Sequence, residues 1–115
     1  MAKDRLFLIK PGFSDGTGGP FYCPGCAHVE GVLSFYPWLR TQLDVTYVDF
    51  ARPRPAIVAL VGAENQGAPV LVLEGEPRAV AEVEIKTAAT GKKFVSGEKE
   101  IGRYLAASQG SGKPH

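Results

Sequence analysis

Cys23-Pro24-Gly25-Cys26 holds the only two cysteines among 115 residues, set three apart just after a strand-like run. The spacing points to a dithiol. A thiolate is a far better nucleophile than a thiol. A helix start stabilises one, because unpaired N–H groups point outward and the peptide dipoles add partial positive charge. Pro24 suits such a start, since it needs no N–H partner and its φ is already helical. Cys26 then falls on the same helix face as Cys23, within reach of a disulfide. Zinc is the competing chemistry, with His28 as a third ligand. The other histidine, however, is His115 in a Gly/Ser/Lys/Pro tail, and a structural zinc site wants four fixed ligands. Haem attachment needs a histidine directly after the second cysteine, and His28 lies one residue too far. A purely structural disulfide over so short a loop removes little unfolded-state entropy. The residues favour a redox pair and no metal.

Length and charge bound the rest. A chain of this length fits one domain with a core that needs no disulfide scaffold. Thirteen basic and 12 acidic residues spread along it to a net charge of +1, so neither a nucleic-acid stripe nor a polybasic membrane segment stands out. The apolar run Leu6-Phe7-Leu8-Ile9 is too short for a signal-peptide core, and no stretch approaches a membrane span. The expectation is a cytoplasmic protein, where a two-cysteine motif is catalytic or metal-binding more often than structural.

Strands and helices alternate. Arg5 to Lys10 reads as a strand buried on both faces. Pro11 to Tyr22, with Gly12, Gly16, Gly18, Gly19 and Pro20, reads as an irregular loop that delivers Cys23. Pro24 to Tyr36 carries Val29, Val32, Leu33 and Tyr36 at helical spacing, and Pro37 ends it. Val45 to Phe50 is a β-branched and aromatic strand. Pro53 and Pro55 open a helix that stops at Gly62. Pro69 sits at the mouth of the apolar strand Val70 to Leu73. Glu82 to Lys86 alternates as a strand, Lys93 to Val95 forms a short edge strand, and Glu98 to Ala107 forms a last helix. Residues 1–107 are one domain and residues 108–115 a disordered tail.

This order, with Cys-Pro-x-Cys opening the first helix and a proline opening the third strand, resembles the thioredoxin superfamily, nearest to glutaredoxins and the N-terminal domain of glutathione transferases. The closing Phe94-Val95-Ser96-Gly97-Glu98-Lys99-Glu100-Ile101-Gly102-Arg103-Tyr104-Leu105-Ala106 is similar to the transferase ending, and Phe21-Tyr22-Cys23-Pro24-Gly25-Cys26 to the opening of a bacterial thioredoxin-like family with no assigned function. The resemblance implies an α/β thioredoxin-like fold, with a central mixed four-stranded sheet flanked by helices. It implies Cys23 as attacking thiolate, Cys26 as resolving thiol, and Pro24 beside them. It also implies that Pro69 follows a cis bond and packs near the pair, and that the Ala68 backbone pairs with an extended thiol substrate. Ser96 with Glu98 would meet the amino-acid end of glutathione.

The expected activity is glutaredoxin-like thiol–disulfide exchange, with glutathione or a protein disulfide as partner and no resident cofactor. The alternative is a non-catalytic redox-sensing or partner-binding module, since fold alone does not fix function. Gly110-Ser111-Gly112-Lys113 lacks the spacing and the preceding strand of a phosphate loop. Arg52 and Arg54 are candidates for carboxylate recognition, because a guanidinium binds one bidentately.

Overall fold

The computed structural model describes residues 2–115. Its elements run β1 (Arg5–Ile9), β2 (Phe13–Asp15), β3 (Gly18–Phe21), α1 (Pro24–Phe35), α2 (Leu39–Gln42), β4 (Asp44–Val48), α3 (Pro55–Val61), β5 (Val70–Leu73), β6 (Lys86–Thr87), β7 (Lys93–Ser96) and α4 (Glu98–Gln109). The main sheet has the order β4-β1-β5-β7-β6. β1 runs parallel to β4 and antiparallel to β5, and β7 pairs antiparallel with both β5 and β6. A helical crossover joins the parallel pair, as parallel neighbours require.

The apolar runs of β1 and β5 are buried along almost their whole length, so both faces of the sheet are covered. α1 and α4 pack together over one face. Ile57 and Val61 of α3 are fully buried and cover the other. Cys26, Val29 and Leu33 are the buried stripe of α1, and Ile101, Tyr104 and Leu105 that of α4. One cluster joins these side chains to Leu6, Leu8, Leu71 and Val95.

The sheet departs from the expected four strands. Phe13–Asp15 and Gly18–Phe21 pair as a separate hairpin, in the stretch read as irregular. Gly16-Thr17 supplies its two-residue turn, with Gly16 at φ 63° where a side chain would be strained. The Phe13 ring stacks on Phe50 at 4.2 Å, tying the hairpin to the end of β4. The strand expected over Glu82 to Lys86 shrinks to Lys86–Thr87. Glu82 turns the chain at φ 64°, and the Glu84 N–H donates to the Glu100 carboxylate instead of to a strand. The edge therefore falls on β6, and β7 is an inner strand.

The last helix continues two residues beyond Ala107, to Gln109, and Gly110 closes it in the left-handed region. The segment expected to be disordered lies against the helices: Ser111 is buried, and a side chain at Gly102 would meet Pro114.

Leu71→Ala, which hollows the fully buried centre, should cost about 2–5 kcal/mol in equilibrium urea unfolding. Phe35→Ala, at a ring 80 % exposed, should change stability by no more than about 0.5 kcal/mol. Similar losses in the two variants would contradict this core.

Candidate dithiol site

Cys23 is the N-cap of α1, and Pro24 occupies the first helical position. The Cys26 backbone N–H donates to Cys23 Sγ at 3.3 Å, so the first sulfur takes the role that a serine or aspartate oxygen fills at other helix starts. Cys23 is half-buried and Cys26 buried, and both are free thiols. The thiol of Cys23 donates weakly to the Ala68 carbonyl at 3.9 Å. Cys26 Sγ accepts from the Ile9 N–H at 3.3 Å, at the end of β1. Burial pushes the Cys26 thiol up to about 12, with the hydrogen bond and charge of Cys23 adding to it and the Ile9 amide and Arg54 opposing. The two sulfurs of one motif thus differ in exposure and in environment.

Opposite them stands a wall built from two distant segments. Pro69 is buried, and the Ala68–Pro69 bond is cis, in the expected place. Ser96 is paired with Val70, and the Gly97 N–H donates to the Pro69 carbonyl, which sets the start of α4 beside the proline. A methyl group at Gly25 would lie 2.9 Å from Glu98 Oε2 and 3.2 Å from the Pro69 ring. Glycine inside the motif is what lets these groups approach. Cys23, Pro24, Cys26, Ala68, Pro69 and Glu98 therefore meet at one end of the sheet, with Ser96 bordering the proline. The Ser96 hydroxyl does not cap α4; Gly97 is the N-cap residue and offers no side chain.

Arg54 corrects its expected role. It is 5 % exposed and turned inward, not toward a ligand. Its guanidinium donates to the carbonyls of Asp49, Phe50 and Gln66, while its own N–H donates to the Gln66 side chain at 2.7 Å. No carboxylate pairs with it among the described residues. Burial and then the like charge of Arg52 pull its pKa below the ordinary arginine value, and the two cysteines act in the opposite sense. Arg54 thus grips the segment that leads from Gln66 to Ala68 and Pro69, within electrostatic reach of both thiols.

A second group had no sequence signal at all. Glu30 on α1 accepts from the Tyr47 hydroxyl at 2.6 Å and forms an ion pair with Arg40, whose guanidinium also touches that hydroxyl at 3.3 Å. Burial raises the Glu30 carboxyl, but the bonds from Tyr47 and Arg40 overcome it and hold the group below the usual carboxylate value. The three residues are distant in sequence, and only the parallel pairing of β4 beside β1 brings them together.

Residues 3–113 match a family model described as a protein of unknown function, DUF3088. The chain belongs to the DUF3088 family. No curated protein matches this DUF3088 chain, and no solved structure does. Among the described residues no three His, Cys, Asp or Glu side chains gather as metal ligands, and no helix is long and apolar enough to cross a membrane.

The difference between the sulfurs is measurable. In a Cys23→Ser variant the remaining thiol should show no thiolate absorbance at 240 nm near its ordinary value of 9.0, because burial, the largest cause of its shift, persists. The folded state then holds a proton that the unfolded chain releases, so stability falls as pH rises from the unfolded value toward the folded one. Thiolate formation at the ordinary pH would refute the buried environment. Arg54→Met, which strips three carbonyls of their donor, should cost about 2–4 kcal/mol in urea unfolding.

Proposed function

We propose that this chain is a thioredoxin-like, glutaredoxin-type thiol–disulfide oxidoreductase acting through Cys23 and Cys26. The observation that carries the reading is the placement of Cys23 Sγ. It caps a 12-residue helix, accepts the Cys26 amide, and faces the Ala68 carbonyl beside Pro69. Support for the fold comes from the parallel β1–α1–β4 unit followed by the antiparallel β5–β7 pair, with Pro69 at the mouth of β5.

Cys23 as thiolate attacks one sulfur of a disulfide. A new S–S bond forms to Cys23, the old one breaks, and the departing thiolate takes a proton from water. Cys26 then loses its proton and attacks Cys23 Sγ, closing the Cys23–Cys26 disulfide and releasing the second thiol. The substrate gains two electrons and the dithiol loses them. Forming the mixed disulfide removes the charge on Cys23, one of the influences that hold Cys26 protonated, so the first step eases the second. Two molecules of glutathione, as co-substrate, restore the dithiol and leave as their own disulfide. Glu98 over Gly25 favours glutathione, since an acid at this helix start suits the amino end of a peptide, and the Ala68 backbone beside Cys23 suits an extended chain. No cofactor is needed.

Glutathione-coupled reduction of a mixed disulfide, followed by loss of NADPH through a glutathione reductase, tests the reading. The wild-type chain should turn over, Cys23→Ser should lose activity by about 10³-fold or more, in line with removal of a covalent nucleophile, and Cys26→Ser should retain reduction of glutathione mixed disulfides. A pair that oxidises reversibly without turnover would favour the redox-sensing module instead.

A further inference from the structure

A cavity of about 540 Å³ opens beside the cysteines, and neither Pro69 nor Glu98 lines it. Both cysteines line it. Its other walls are Leu8, Ile9 and Pro11 from β1 and the turn after it, Tyr22 before the motif, and Ala27 on α1. Glu30 and Tyr47 close the far end. The size is that of a small-molecule site, and the composition, apolar walls with a few placed polar groups, is that of one too.

The charge at the far end narrows the ligand. Glu30 supplies the one carboxylate in the lining, and it is already engaged by the Tyr47 hydroxyl and Arg40. An entering carboxylate would meet a carboxylate in a partly desolvated place, which costs free energy without return. A polar uncharged group would have to donate to a carboxylate whose two oxygens already accept from Tyr47 and Arg40. An aromatic or branched aliphatic group would displace water from Pro11, Tyr22 and Ala27 at a gain proportional to the area covered.

We propose that this cavity receives the organic arm of a small, uncharged aromatic or branched aliphatic disulfide whose scissile sulfur lies at Cys23. The assignment rests on the oxidoreductase reading and names the substrate class of that same site. Glutathione then enters on the Pro69 and Glu98 side, so the two halves of a mixed disulfide occupy different flanks of one sulfur.

Methanethiosulfonates test the cavity without requiring turnover. Cys23 thiolate attacks the reagent, takes its RS group as a mixed disulfide and releases methanesulfinate. The reaction is followed by mass spectrometry on the full chain carrying Cys26→Ser, which traps the product. Rates with the benzyl, methyl and sulfonatoethyl reagents are normalised to those of a free small thiol. The benzyl reagent should exceed the methyl one by at least about tenfold, as burial of a phenyl ring predicts, and the anionic reagent should fall below both. Ala27→Trp, at an exposed helix position that faces the cavity, should reduce the benzyl advantage over methyl to within about twofold. Ala27→Glu, which fills less space but adds charge, should also suppress the benzyl rate.

Equal normalised rates for benzyl and methyl reagents overturn the proposal, as does an Ala27→Trp variant that slows both alike. An advantage that appears only when the apolar group is carried on a peptide overturns the small-molecule assignment. A benzyl advantage in a chain that fails glutathione turnover upholds the cavity and sinks the catalytic reading alone.

Discussion

The guanidinium of Arg54 holds together two turns that would otherwise be separate. It takes the carbonyls of Asp49 and Phe50, just after β4, and across the gap it takes Gln66, two residues before Ala68. A cation removed from water needs its donors filled, and here carbonyl dipoles fill them in place of an opposing charge. The positive charge is therefore not cancelled locally. The loop that presents Ala68 and Pro69 to Cys23 is fixed from behind by a group whose field also reaches the sulfurs. Phe50 adds to the arrangement, lying under the guanidinium at 5.8 Å and stacking on Phe13, so the β2–β3 hairpin is seated by the same residue.

Two 12-residue helices begin beside Pro69, α1 at Pro24 and α4 at Glu98. Their N-termini both bring outward-pointing amides and partial positive charge to one end of the sheet. The first is capped by a sulfur. The second carries Glu98 and Glu100 in its opening turn, which matches its dipole. The result is a sulfur, a proline ring and a carboxylate gathered around a glycine, from three segments spread along the chain between Cys23 and Glu98, with the sheet register deciding their alignment.

What was legible in the sequence follows from how local each signal is. The buried strands β1 and β5, α1 with its proline start, and α4 with Ile101, Tyr104 and Leu105 on one face could be read because their periodicity and caps lie within one turn or one strand. The dithiol and Pro69 were legible for the same reason. The β2–β3 hairpin was hidden by its glycines, which signal irregularity and tight turns alike; Gly16-Thr17 was the clue. The strand expected over Glu82 to Lys86 failed because a period of two says nothing about whether a partner strand is present. Val83 and Ile85 pack on the core without one. The inward turn of Arg54 and the Glu30–Tyr47–Arg40 group depend on contacts across the fold that no short window contains.

Trp38 is the only tryptophan in the chain. It lies edge-on to Tyr36 at 5.3 Å, and its indole N–H donates to the Gln109 carbonyl, the last residue of α4. Tyr36 in turn lies against Gly112, so the ring pair spans the end of α1, the end of α4 and the terminal segment. The indole is thus an intrinsic optical probe of how the closing helix and the tail sit on α1. Its emission reports on that junction alone, at the far end of α1 from the cysteines, and separates motion of the C-terminal segment from chemistry at the sulfurs.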